Sequence, residues 1–210
     1  MSCAHAAGIR PATFGVLRLP RSVVVGAQQR FAVANIAAEF GTNVLVCTDP
    51  RLAVSEELQA LVRSLEDRNL TVRVYGDTQA ELPVPGIIAC VEELNGQEID
   101  VIIGFGGGSC MDMAKVVSVL LTHGGKPSDY YGEFAVPGPT KPVIALPTTA
   151  GTGSEATAIA VVSDPDLLAC TSCDDEHRWT PPWRTVRPRR SPPWPAAGTA
   201  GHGRARRRTG

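Results

Sequence analysis

One stretch constrains this chain more than any other: Asp100-Val101-Ile102-Ile103-Gly104-Phe105-Gly106-Gly107-Gly108-Ser109-Cys110-Met111-Asp112-Met113-Ala114-Lys115. It reads as a short apolar strand, a glycine turn and the opening of a helix. Val101 to Ile103 is the β-branched run of a parallel strand covered on both faces. Gly106, Gly107 and Gly108 remove every Cβ from the turn, so backbone N–H groups can approach a ligand. Ser109 suits an N-cap, and Asp112 three residues on completes a capping-box pattern. Free amides and the positive end of the helix dipole then face the turn, which suits a phosphate. The pattern is neither the dinucleotide fingerprint, whose third glycine would fall at Ser109, nor a Walker A loop, which needs Gly-Lys-Ser/Thr. A purely structural glycine turn is the alternative, but three adjacent glycines cost backbone entropy that such a turn rarely needs.

The rest of the chain alternates strands and helices around this unit. Val23 to Gly26 ends a strand, and Gln28 to Phe40 has helical periodicity up to Gly41. Asn43 to Cys47 is a strand ending in Thr48-Asp49-Pro50. Ser55 to Arg68 is an amphipathic helix with Leu58, Leu61, Val62 and Leu65 on its apolar stripe. Thr71 to Tyr75 alternates like a strand, and Ile87 to Leu94 is helical. The helix after Ser109 runs to about Thr122, before Gly124-Gly125. Pro142 to Leu146 is another buried strand. This order predicts an α/β domain, Rossmann-like, with a mostly parallel sheet and flanking helices. Ligands of such sheets sit at the carboxyl ends of the strands.

Three candidate segments fall at those ends: Asp49, the Gly106–Ser109 turn, and the loop after the strand at 142–146. That loop carries four hydroxyls (Thr148, Thr149, Thr152, Ser154) and two glycines in seven residues. Hydroxyls can donate to phosphate and ribose oxygens, and the glycines let them converge. A surface loop rich in turn residues is the alternative. Asp49 could accept from ribose hydroxyls, favouring an unphosphorylated ribose over a 2′-phosphate, or could simply cap the Asp-Pro turn. Asp112 would repel a nearby pyrophosphate, so it either caps or meets a neutral part of a ligand, while Lys115 could offset its charge or hold only a surface pair.

Gly106 to Lys115 and Pro147-Thr148-Thr149-Ala150-Gly151-Thr152-Gly153-Ser154-Glu155, in this order, closely resemble the iron-containing (group III) alcohol dehydrogenases. The likeness covers roughly residues 12–166, including Thr48-Asp49 and Asp129-Tyr130-Tyr131-Gly132. The resemblance implies an N-terminal dinucleotide-binding domain and a C-terminal all-helical domain holding a divalent metal, Fe²⁺ or Zn²⁺. It implies hydride transfer between a nicotinamide cofactor, NAD or NADP, and a small alcohol or aldehyde, with the metal as Lewis acid. Gly106, Gly107, Gly108 and Ser109 would then bind the pyrophosphate, and Asp112 would lie near the nicotinamide. Thr148, Thr149 and Thr152, with Ser154 beside them, would line the adenosine and phosphates, and Asp49 would touch the adenine ribose. A homodimer is among the expected assemblies.

The family's metal is held by one Asp and three His. This chain has only His5, His123, His177 and His202, none in a helical H-x-x-x-H context. The resemblance therefore implies the cofactor half of an oxidoreductase, without its helical metal domain. A non-catalytic nucleotide-binding fragment is the alternative.

The expected domain is 1–166, and residues 167–210 differ in kind. Residues 177–210 hold nine Arg, six Pro, all three Trp and no acidic residue, with Val186 the only branched aliphatic. No packed core is expected there, and the reading is a disordered tail. A basic arm for nucleic acid, half a zinc site at Cys170-x-x-Cys173, and an out-of-frame translation of a GC-rich gene compete, and composition favours the last. Nucleic acid is thus not an expected partner. Six scattered Cys without framework spacing read as reduced thiols of a cytoplasmic protein. No apolar run approaches the roughly 18 residues that span a membrane.

Overall fold

The computed structural model describes residues 19–26, 28–29, 32–94, 96–132 and 135–166, and the backbone of 183–188. The chain alternates β1 (Ser22–Gly26), α1 (Ala32–Ala38), β2 (Asn43–Cys47), α2 (Pro50–Ala53), α3 (Glu56–Glu66) and β3 (Thr71–Tyr75). It continues with α4 (Val84–Glu93), β4 (Val101–Gly106), α5 (Gly108–His123), β5 (Val143–Pro147) and β6 (Trp183–Pro188). The six strands form one sheet in the order β1-β6-β5-β4-β2-β3. Every neighbouring pair is parallel. From β3 to β6 this is the doubly wound 2-1-3-4-5 order, with β1 added beyond β6. The direction of winding reverses between β2 and β4, and sheets of this kind take their ligands at the carboxyl ends beside such a reversal.

Both faces of the sheet are covered, so the central strands lack polar alternation. β4 and β5 are buried at every position. Leu45, Ile102 and Val143 pack with Ile87 and Cys90 of α4 and Met113, Val117 and Leu120 of α5. Val44, Val46, Ile103, Phe105 and Ile144 face Val33 of α1 and Leu58, Leu61 and Leu65 of α3. α3 forms as its sequence dictates: Ser55 caps it by accepting from the Leu58 N–H, and Glu56 and Glu57 occupy the positive end of its dipole. At the amino end of the sheet, Asp100 Oδ2 accepts from the N–H groups of Thr42 (2.9 Å) and Asn43 (2.8 Å) and from Asn43 Nδ2 (3.1 Å). Those bonds hold β2 and β4 in step where they begin.

α5 lies unusually close on β4. A Cβ placed on Gly104 would stand 2.7 Å from Met111 Cα and 3.0 Å from the Cys110 carbonyl oxygen. Only a residue without a side chain permits that approach, and it fixes the height of the α5 N-terminus above the sheet.

Several boundaries differ from the sequence reading. α1 is shorter than 28–40. α4 begins at Val84, earlier than expected, because Pro85 sits in the first turn, where its missing N–H has no partner to lose. Of the tail expected to be disordered at 167–210, six residues are described: Trp183–Pro188 forms β6, between β1 and β5. Strand pairing uses backbone groups, which an Arg- and Pro-rich composition does not report. The rest of that tail, with Cys170 and Cys173, and the segment before Leu19 lie outside the described residues. Among the described residues no helix is long and apolar enough to cross a membrane.

Candidate functional site: a rim at the carboxyl ends of β2, β4 and β5

Because β2, β4 and β5 are adjacent and parallel, the segments that follow them emerge side by side. The three segments singled out in the sequence therefore meet on one rim. Thr148 N–H donates to the Gly106 carbonyl at 2.9 Å, tying the threonine loop to the glycine turn where both leave the sheet. A Cβ on Gly107 would stand 3.6 Å from Thr149 Oγ1. One on Gly108 would stand 3.1 Å from Thr152 Cγ2 and 3.3 Å from Ser154 Oγ. The loop thus folds directly over the turn, and any side chain at 107 or 108 would fill the space between them. Thr148, Thr149 and Thr152 are exposed, while Ser154 is buried and its N–H donates to Thr152 Oγ1 at 3.3 Å.

The capping of α5 differs from expectation. The N-cap is Gly107, not Ser109, and no side chain caps the helix. Gly108 enters the helix itself, which leaves Ser109 half-buried in the first turn and the S-x-x-D pattern unformed. Gly106 has φ +149°, a conformation that side-chain-bearing residues rarely adopt. No described side chain caps the amides of this first turn, and such amides favour an anion.

Asp49 takes the capping role proposed from sequence, with its second oxygen facing protein groups. Oδ1 caps α2 by accepting from the Leu52 N–H at 2.9 Å. Oδ2 stands 3.9 Å from Arg51 Nη2 and accepts from Cys110 Sγ at 4.0 Å. Sequence reasoning missed Cys110, whose type carries no signal at a helix start. Its thiol sits beneath the glycine turn, where the Cβ of any larger residue at 106 would come within 2.5 Å of Sγ. Burial, and then the Asp49 carboxylate, push its pKa from the ordinary 9.0 up to about 11, against the amides of Gly107 and Asp49. The unfolded thiol ionises near 9 while the folded one keeps its proton to about 11. Stability from this group is therefore complete below pH 9 and falls as pH rises toward 11, by about 2–3 kcal/mol. Thermal unfolding followed from pH 8 to 10.5 should show this slope in the wild type and a flatter one in Cys110→Ser.

Asp112 turns away from the rim. It is 4% exposed, with Oδ1 2.8 Å from Lys115 Nζ and Oδ2 accepting from the Val161 N–H at 3.1 Å. Both oxygens are engaged within the protein. Lys115 is 1% exposed and also donates to the Ile159 carbonyl, so the pair is buried, not a surface contact. Burial lowers the Lys115 pKa, and the Asp112 charge opposes that shift. The 112/115 spacing was visible in sequence, but the partners at 159 and 161 were not. Thr48 was also missed: its buried hydroxyl donates to the Phe105 carbonyl at 2.8 Å and locks the ends of β2 and β4 together.

The described residues do not fit a catalytic metal. No group of three His, Cys, Asp or Glu comes together among them. His123 ends α5, a 16-residue helix that starts at the rim and carries it roughly 24 Å away, at about 1.5 Å per residue. His5, His177 and His202 lie outside the described residues.

A family model for iron-containing alcohol dehydrogenases matches residues 20–178. This chain belongs to the iron-containing alcohol dehydrogenase family. The family match runs a little beyond the likeness read from sequence and takes in His177. Among curated relatives in the family, the sulfoacetaldehyde reductase of Bilophila wadsworthia is 40% identical over 124 residues, covering 59% of this chain and 32% of that protein. Alcohol dehydrogenase 4 of Saccharomyces cerevisiae is 34% identical over 120 residues, 57% of this chain and 31% of that protein. An iron-containing alcohol dehydrogenase structure from Thermotoga maritima superposes with a TM-score of 0.72 at 26% identity, over 83% of this chain and 48% of that one. The sulfoacetaldehyde reductase structure from Bifidobacterium kashiwanohense, solved with NAD+, shares the fold with a TM-score of 0.67 at 24% identity, over 84% of this chain and 46% of that one. The chain thus spans about a third of the curated iron-containing relatives and about half of the solved ones.

Proposed function

We propose that the rim formed by Asp49, Gly106–Gly108 and Thr148–Ser154 binds NAD(H), and that the chain is the cofactor-binding half of an alcohol dehydrogenase or aldehyde reductase. The observation that carries this reading is the seating of the threonine loop over a side-chain-free turn at the winding reversal of the sheet. In this reading the uncapped amides at the start of α5 and the hydroxyls of Thr148, Thr149 and Thr152 hold the pyrophosphate. Ser154, buried, fixes the loop. Asp49 Oδ2 accepts from a ribose hydroxyl, and its charge opposes a 2′-phosphate, which favours NAD over NADP. When bound, the nicotinamide supplies or accepts a hydride at C4. The relatives named as alcohol dehydrogenases and as a sulfoacetaldehyde reductase support a small alcohol or aldehyde as the substrate class.

Among the described residues no group of three metal-ligating side chains comes together, so we propose binding without turnover by this chain alone. Titration with NADH, followed by its fluorescence, should saturate. A chain that leaves NADH fluorescence unchanged at millimolar cofactor would refute the binding site. Aldehyde reduction on addition of Fe²⁺ or Zn²⁺ would refute binding without turnover.

A further inference from the structure

We propose that the buried Asp112–Lys115 pair is a positioning device for the dinucleotide rim, setting the threonine loop at its working distance from the glycine turn. The inference rests on the function proposed above and extends it to two buried residues of α5. Residues 148–161 leave β5 and return to α5 as one excursion. Its start is fixed by the Thr148 N–H on the Gly106 carbonyl at 2.9 Å. Its return is fixed by the pair: Asp112 Oδ2 accepts from Val161 N–H at 3.1 Å, and Lys115 Nζ donates to the Ile159 carbonyl. These two contacts bracket Ala160, which is fully buried.

Both fasteners sit on the β4–α5 unit that also presents the glycine turn. Loop and turn are therefore referred to a single rigid body. An apolar contact at 159–161 would hold the segment but tolerate sliding. A carboxylate and an ammonium, each bonded to one backbone group, specify which residue lies where. Within the loop, Ala156 N–H donates to the Gly153 carbonyl at 2.8 Å, so a shift at 159–161 is passed back toward Thr152 and Ser154.

The test compares Lys115→Met and Asp112→Asn with Leu65→Ala, a core truncation on the opposite face of the sheet. Asp112→Asn is the milder change and serves where Lys115→Met fails to fold. Two readouts are taken on the full chain: the NADH dissociation constant and amide hydrogen exchange of residues 148–161. We expect either pair variant to raise the dissociation constant about tenfold and to speed exchange at 148–161 by at least about tenfold, as for loss of a charge-assisted bond. Leu65→Ala, with a similar loss of melting temperature, should leave the NADH constant within about twofold. Equal loss of affinity in Leu65→Ala, or exchange in the pair variants raised uniformly along the chain, would overturn the proposal. Should the wild type not bind NADH, the functional reading fails by itself, and the exchange pattern still decides whether the pair holds the loop.

Discussion

Lys115→Met is expected to lower the unfolding free energy by about 4 kcal/mol, a large share of the total for a domain of this size. The methionine fills a similar volume, so packing changes little. The loss comes from what stays behind. Asp112, 4% exposed, would lose the ammonium that faces it, and the Ile159 carbonyl would lose its donor. Removing both members, as Asp112→Leu with Lys115→Met, should recover about 1–2 kcal/mol, because the stranded charge is gone. Recovery stays incomplete, since Val161 N–H and the Ile159 carbonyl are then both unpaired. Urea unfolding of the two singles and the double closes the cycle. A single variant within about 1 kcal/mol of wild type would show that the pair is not buried as described.

Gly104→Ala should cost about 3 kcal/mol by a different route. The added methyl would stand 2.7 Å from Met111 Cα and 3.2 Å from Ala114 Cβ. The nearest of these atoms belongs to the backbone of a 16-residue helix and cannot rotate aside. α5 must lift from β4, and every contact of its inner face loosens together. Gly86→Ala gives the matched control. Gly86 lies inside α4 and has nothing within 4 Å of an added Cβ, so alanine there should gain about 0.5–1 kcal/mol from helix propensity. Urea midpoints moving in opposite directions for the two alanines would separate crowding from propensity. A Gly104→Ala protein as stable as wild type would show that α5 does not lie this close to the strand.

Much of the central fold could be read before any coordinates, because it follows from local periodicity. Asn43–Cys47 and Thr71–Tyr75 are strands over the residues their patterns mark, and α3 (Glu56–Glu66) lies within the amphipathic stretch marked from Ser55 to Arg68. The meeting of the glycine turn and the threonine loop was also legible, since parallel strands bring their following loops to one edge. What could not be read depends on partners distant in sequence or on backbone alone. Ser109 is a better N-cap by type than Gly107, but the close seat of α5 on Gly104 draws Gly108 into the helix. The burial of Asp112 depends on residues 49 positions away. The thiol of Cys110 gains its environment only because β2 brings Asp49 beside it. β6 forms from a segment whose side chains advertise no strand.

The all-parallel sheet also sets the order in which this molecule can be assembled. No neighbouring strands are joined by a hairpin: Asn43 pairs with Thr71, Val44 with Val101 and Ile102 with Val143. Each of these three ladders must close over an intervening helix, which places refolding in the slow regime of chains dominated by distant contacts. During synthesis β2 and β3 emerge and pair well before β4 wedges in beside them, and the strand bearing the threonines arrives later still. The rim at the carboxyl ends of β2, β4 and β5 is thus among the last features to take shape, and a nascent chain passes through a stage in which β4 is present with one flank unpaired.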